Sequence, residues 1–392
     1  MADAAPIGPL QRWGATVVVT FAIVARIGVV VAILVQPSDD DAVRDYVDRF
    51  GDISVAEGTP YRDHPVEYPP VSLGAIELVG NEDDGSTSTR LLWFTVLVDA
   101  LLAAVLAWGW GRGATAAYLG ASVLVLPALY QTLDILPTAL AAAGVALAWR
   151  HRERAGGFVL AAAVLAKVWP AALIPGLLVW GRRRTLAWTL GTLLIGTTLW
   201  IVWAGLGALG QVATQRHSPG WEAESTVGTL VWILGDGEVR IVQDSPRIGT
   251  APAWAETVLA VATVAGVGAV WFRTARAGER DQVGGPSLAC VALLMFLAPI
   301  YSYPYVLWLL PWAAIAWTER RLVLASMAFG IVALTTLAYA MLNGGVINDA
   351  PWAIQLVLVI RNGVTAAIPI AYLLSLRGRV SSSAAVPAPR AP

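Results

Sequence analysis

Apolar runs alternate with short polar connections along nearly the whole chain, near residues 13–35, 91–110, 116–130, 133–149, 156–181, 186–208, 255–272, 285–318, 322–342 and 352–376. The run 13–35 holds 23 residues, enough to cross a hydrocarbon core as a helix. No small-residue cleavage site follows it, so it is expected to persist as a first membrane helix and not to be removed as a signal peptide. The pieces 70–80 and 226–235 are apolar but too short to span, and they are expected to lie flat at the water–lipid boundary. The Ser/Ala/Pro-rich stretch 381–392 is expected to be a disordered tail, leaving 1–380 as a single membrane domain.

Arginines divide the connections into two sets. Arg12, Arg112, Arg150, Arg152, Arg154, Arg182 to Arg184, Arg273, Arg276, Arg280, Arg320, Arg321, Arg377 and Arg379 can all lie on one side, which the positive-inside rule makes cytoplasmic. The segments 36–90 and 209–254 then become outer loops. This assignment makes 155–181 start and finish on the same side, as a hairpin broken at Lys167-Val168-Trp169-Pro170. Each arm, roughly 18 Å long, is too short to cross the core. The run 285–318 turns in the same way at 299–304, and the count becomes about twelve transmembrane or half-membrane helices with both ends inside.

Composition agrees with this reading. The 392 residues are 57% hydrophobic and 14% charged, with mean hydropathy +0.64, which excludes an ordinary soluble domain. The single cysteine, Cys290, allows no intramolecular disulfide, and three histidines without ligand spacing give no structural zinc site. Charge is concentrated instead: residues 36–90 hold 13 Asp/Glu against four Arg. So many carboxylates beside a bilayer repel something, bind a cation, or supply a base at the boundary.

Within that loop, Gly58-Thr59-Pro60-Tyr61-Arg62-Asp63-His64-Pro65-Val66-Glu67-Tyr68-Pro69-Pro70 resembles the G-x-x-PYRD-x-x-x-EYPP loop of polytopic GT-C glycosyltransferases, particularly the family 87 mannosyltransferase-like group. Further matches follow in order at Asp134-Ile135-Leu136-Pro137, at Ala166-Lys167-Val168-Trp169-Pro170, at 216–225 ending in Glu224-Ser225, and at 301–312. The resemblance covers roughly residues 10–320. It implies a GT-C type bundle with a large first outer loop, acting at the outer face of the plasma membrane. The implied donor is a polyprenyl-phosphate sugar, most simply a mannose donor, and the acceptor a lipid-linked or envelope glycan. The family places its catalytic Asp four residues before a Tyr, but Ala42 stands four before Tyr46 here. Asp41 is displaced by one residue and flanked by Asp39, Asp40 and Asp45.

Residue chemistry points the same way, because glycosyl transfer from a phosphate needs a base on the acceptor hydroxyl and donors or cations on the departing phosphate. Asp41, with Asp40 beside it, is the expected base. A solvated acidic face is the plainer account of any one of these aspartates. Lys167, the only lysine in the chain, is expected at membrane depth facing the phosphate, and its alternative is snorkelling to a headgroup. Arg216 and His217 are expected as further phosphate donors, or as solvated loop residues. Glu224 is expected to orient the acceptor or pair with Arg216. Tyr301 and Tyr305 are expected as phenolic donors at a cavity mouth, or as interfacial anchors. Asp134, Glu67 and Tyr68 complete the substrate-binding set, with Tyr68-Pro69-Pro70 stiffening the loop over the site. Arg26, Asp99 and Arg361 are expected to form buried charge pairs. The acidic triplet also has the composition of a divalent-cation site, but no metal, cofactor or nucleic acid is expected. A transporter or flippase of a lipid-linked sugar is the rival class, weakened by the lack of an internal repeat.

Overall fold

The computed structural model describes residues 9–35, 41–214, 220–235, 238–242, 245–344 and 350–383. Helices α1 (Pro9–Val35), α2 (Asp41–Val55), α3 (Pro70–Val79) and α4 (Asp84–Trp110) are followed by α5 (Arg112–Ser122), α6 (Leu126–Gln131) and α7 (Ile135–Trp149). Next come α8 (Glu153–Ala166), α9 (Ile174–Val179), α10 (Arg183–Ala204), α11 (Gly207–Thr214) and α12 (Thr226–Leu234). Helices α13 (Ala253–Arg276), α14 (Gly284–Leu297), α15 (Leu310–Thr318), α16 (Leu322–Asn343) and α17 (Pro351–Ser383) complete the bundle. Among the described residues, seven helical stretches are long and apolar enough to cross a membrane: Gly14–Val35, Asp84–Trp110, Arg112–Gln131, Arg183–Ala204, Ala253–Arg276, Leu322–Asn343 and Pro351–Arg377. The chain is an all-α polytopic membrane protein with one small sheet attached. Helix α17 runs through Ser383, so residues 381–383 of the expected tail are helical.

Three interrupted pairs of helices fill the middle of the bundle. In the first, α5 and α6 are separated from α7 by a break at 132–134. In the second, α8 ends at Lys167, whose extended backbone (φ −158°, ψ 142°) leads into a 3-10 turn (Trp169–Leu173) and α9. In the third, α14 ends before Ala298, and a 3-10 turn (Tyr303–Trp308) leads into α15. Prolines explain where the helices resume: Pro137, Pro170, Pro175, Pro304 and Pro311 sit in first turns, where the missing N–H costs nothing. The two arms of each of the last two pairs return to the same end. Arg182 at the close of the second pair donates to Trp149 O (3.3 Å) and meets His151 Nδ1 at 2.8 Å. Glu319 at the close of the third accepts from the N–H groups of Val283 (2.7 Å) and Gly284 (3.0 Å), capping the start of α14. Trp180 Nε1 reaches Gln282 O at 2.9 Å, and Arg150 reaches Trp108 O. The arginine-rich connections therefore gather at one end of the bundle, as the hairpin reading requires.

Close packing holds the pairs together. A Cβ on Gly144 would come within 2.8 Å of Leu160 N, and one on Gly156 within 2.8 Å of Ala148 N, so α7 and α8 meet backbone to backbone. Deep in the bundle Arg26 Nε donates to Asp99 Oδ2 at 2.8 Å, with Tyr118 and Tyr130 hydroxyls on the same carboxylate. These two residues form the expected buried pair.

The acidic end differs from the loop expected there. The stretch 41–55 is helical, because Tyr46, Val47, Phe50 and Ile53 fall on one face and pack with Tyr68, Leu73, Ile76, Leu133 and Trp200. At 226–234 the second apolar piece is also a helix, capped by Ser225 Oγ accepting from Gly228 N at 3.0 Å. Beside it β1 (Trp221–Glu222), β2 (Arg240–Val242) and β3 (Ser245–Ile248) form an antiparallel sheet in the order β1-β3-β2, which sequence reading leaves as loop.

Candidate functional site

The breaks in the three helix pairs converge. Asp134 stands at the start of α7 without capping it. Its Oδ1 instead accepts from Lys167 Nζ at 2.6 Å and from Trp308 Nε1 at 2.8 Å. The Lys167 ammonium lies 4.7 Å from the Tyr305 ring centre and 5.0 Å from that of Trp308. Tyr305 stacks on Trp308 at 4.0 Å, and Trp169 stacks on Trp308 from a second direction at 5.4 Å. Trp169 Nε1 is enclosed and makes no hydrogen bond. The side chain of Lys167 is 23% exposed, that of Asp134 5%. Lys167 is thus not a lone cation: its carboxylate partner comes from the break that precedes α7.

The signature of the first acidic segment sits over these tips. Ser72 Oγ in α3 donates to Ala166 O at 2.7 Å, fastening the helix after Tyr68-Pro69-Pro70 to the end of α8. Tyr61, buried, donates its hydroxyl to Tyr68 O, and Gln211 Nε2 donates to Tyr61 O at 2.6 Å. Burial pushes the Tyr61 phenol well up from its ordinary value. Glu67 accepts from Arg49 Nη2 at 2.7 Å and Nε at 3.2 Å, a bidentate pair that ties the signature to α2. Glu67 and Tyr68 therefore build the cover over the tips. Asp41 opens α2, while its side chain, together with Asp40, Arg216 and His217, lies outside the described residues.

A second polar cluster adjoins the first through the segment 299–308. Glu222 on β1 accepts from Tyr301 N, from Ser302 Oγ at 2.7 Å and from Ser245 Oγ at 3.0 Å. Glu224 pairs with Arg361 of α17, Nη1 to Oε2 at 3.2 Å, and Asn362 supports both. Burial pushes the Glu224 carboxyl up from the usual carboxylate range, against the opposing pull of Arg361. Arg361 thus takes the buried pair expected of it. Tyr301 is the clear departure from expectation: it is fully buried, its ring 4.0 Å from the Arg361 guanidinium and its hydroxyl 3.5 Å from Thr365 Oγ1, so it faces the bundle interior and not a cavity mouth.

Asp134, Lys167 and Tyr305 are brought together; Glu224 and Tyr301 belong to the adjoining cluster. Sequence reasoning left out Trp169, Trp308, Glu222 and Asn362. The first three lie inside stretches already singled out, where attention to their aromatic or acidic character would have found them, but Asn362 has no local signal. Among the described residues no group of three His, Cys, Asp or Glu side chains gathers as for a metal ion. No family model and no curated protein matches the chain.

Proposed function

We propose that the chain is a plasma-membrane glycosyltransferase of GT-C type, with about twelve transmembrane or half-membrane helices. It transfers a hexose, most simply mannose, from a polyprenyl-phosphate sugar to a lipid-linked or envelope glycan acceptor at the outer face. The observation that carries the reading is the meeting of Asp134, Lys167, Tyr305 and Trp308 at three broken helices under the Glu67-Tyr68-Pro69-Pro70 segment. Half-buried charge at interrupted helices costs stability unless it serves a polar ligand or lines a watery cavity. Stacked aromatic faces beside it suit the apolar face of a sugar or the first isoprene units of a lipid.

In the proposed reaction the acceptor hydroxyl oxygen attacks C1 of the sugar and forms the new glycosidic bond. The C1–O bond to phosphate breaks, its electron pair leaving on the polyprenyl phosphate. The hydroxyl proton passes to a carboxylate, by resemblance Asp41 with Asp40 beside it, and attack opposite the leaving group inverts the anomeric centre. Lys167, oriented by Asp134, stands at the donor side of this site. Tyr305 and Trp308 hold the ammonium from below.

The test is transfer by the purified chain from labelled polyprenyl-phosphate mannose to a membrane lipid extract. Wild-type protein is expected to transfer, and Asp41→Asn to lose on the order of 100 to 10,000-fold in rate while still binding donor. Wild-type protein that transfers no sugar from any polyprenyl-phosphate donor would remove the enzyme reading. Normal transfer by the Asn variants at all four of Asp39, Asp40, Asp41 and Asp45 would move the base to Asp134 or Glu224.

A further inference from the structure

Among the described residues, the buried and half-buried cations of the bundle interior and the acidic end have partners, with one exception. Lys167 is held by Asp134, Arg49 by Glu67, Arg361 by Glu224 and Arg26 by Asp99. Arg247 on β3 is only 7% exposed, its Nε is enclosed without a hydrogen bond, and its guanidinium has no ion-pair partner among the described residues. A guanidinium stays charged at any ordinary pH, so it cannot escape burial by losing its proton. Taking such a charge out of water without a counter-ion is strongly unfavourable.

The strand register shows where this charge points. Arg247 stands directly opposite Glu222 on β1 and Arg240 on β2, so the three side chains share one face of the sheet. Glu222 turns that face toward 299–302, where its carboxylate is taken up by Tyr301 N, Ser302 Oγ and Ser245 Oγ. It is therefore committed elsewhere, and no pair with Arg247 forms. The segment that Glu222 grips continues into Tyr305 and Trp308, the floor under Lys167.

We infer that Arg247 is a binding residue for a phosphate monoanion or dianion carried by a lipid, supplying the positive charge that Lys167, already neutralised by Asp134, does not. The inference rests on the glycosyltransferase reading only for the identity of that lipid as a polyprenyl phosphate. It reassigns the main phosphate contact from the hairpin lysine to the strand arginine. A guanidinium presents two parallel N–H donors to two phosphate oxygens, which an ammonium does not.

The experiment measures binding to the full chain in zwitterionic phosphatidylcholine nanodiscs, read by intrinsic tryptophan fluorescence. The probes are undecaprenyl phosphate, undecaprenol and inorganic phosphate, with Arg247→Gln, Arg247→Lys and Lys167→Met beside wild type. Wild type is expected to bind undecaprenyl phosphate well above undecaprenol. Arg247→Gln should weaken that binding on the order of 30-fold or more, as removal of one member of a desolvated charge pair does. Arg247→Lys should recover part of it, and Lys167→Met should lose less than Arg247→Gln. Thermal melting of ligand-free Arg247→Gln should be unchanged or raised, since an unpaired buried charge is removed; a lowered midpoint would make Arg247 structural and overturn the inference. Wild-type affinity in Arg247→Gln would also overturn it, and so would equal binding of undecaprenol. Tight binding of inorganic phosphate that competes with the lipid would keep the anion site and reassign its ligand to free phosphate. Binding needs no turnover: a chain that binds as expected yet transfers no sugar defeats the transferase reading alone, whereas normal transfer with an unaffected Arg247→Gln defeats this inference alone.

Discussion

Lys167 and Asp134 show how a charged residue is made tolerable at depth. The pair spans 33 residues of sequence, and each member ends or begins a broken helix. Removing Lys167 leaves the buried Asp134 carboxylate, 5% exposed, without its cation, whereas removing both charges leaves only polar and apolar groups of similar shape. Lys167→Met is therefore expected to destabilise the fold by about 1–3 kcal/mol, below the cost for a fully enclosed pair because the lysine side chain is 23% exposed. The double variant Asp134→Asn/Lys167→Met should recover most of that loss in a thermal-melting cycle. Additive losses would show that the two charges are not coupled. The same comparison separates support from chemistry, since the double variant should regain stability without regaining transfer.

At the scale of elements, the site depends on how closely the helix pairs approach. Gly144 and Gly156 let α7 and α8 touch along their backbones, and the tips carrying Asp134 and Lys167 are set by that contact. A methyl at Gly144 meets Leu160 backbone at 2.8 Å, where no flexible side chain can give way. Gly144→Ala is expected to cost about 1–3 kcal/mol by overpacking and to reduce transfer, although it touches neither charge. Melting and turnover measured together check this, and unchanged values in both would mean that the interface is softer than drawn. Helix α2 makes a related point. Its acidity reads as loop, yet the spacing of Tyr46, Val47, Phe50 and Ile53 is helical, and burial of that face against Tyr68 and Ile76 decides the matter.

For the whole molecule, the arginine end and the acidic end impose one orientation under the positive-inside rule. In a Cys290→Ala background, single cysteines at the exposed positions Glu57 and Thr250 should react with a membrane-impermeant thiol reagent on intact cells. Cysteines at the equally exposed Arg152 and Arg183 should react only after permeabilisation. Ser225 is unsuitable as a reporter because it is fully buried as the cap of α12. Labelling at Arg183 on intact cells would break the hairpin topology and reverse every connection after it.

Local patterns along the chain are enough to show a helical membrane protein, where its helices are interrupted, and which connections share an end. Those properties follow from local quantities: the length of an apolar run, a proline that cannot donate, and the placement of arginines. The hairpins at 155–181 and 285–318 are legible for that reason, and so is the shortness of the apolar pieces at 70–80 and 226–235, whose helical form the structure adds. Which charges neutralise one another was decided only by the tertiary structure. Burial cost announces that Arg26, Lys167 and Arg361 need partners, but Asp99, Asp134 and Glu224 reach them across 73, 33 and 137 residues of chain. The same holds for the sheet that buries Arg247, whose strands are two to four residues long and too short to leave a periodic signal. The lack of an ion pair between Arg247 and the facing Glu222 follows from Glu222 being drawn to residues 301 and 302, a competition between contacts that no single stretch of sequence contains.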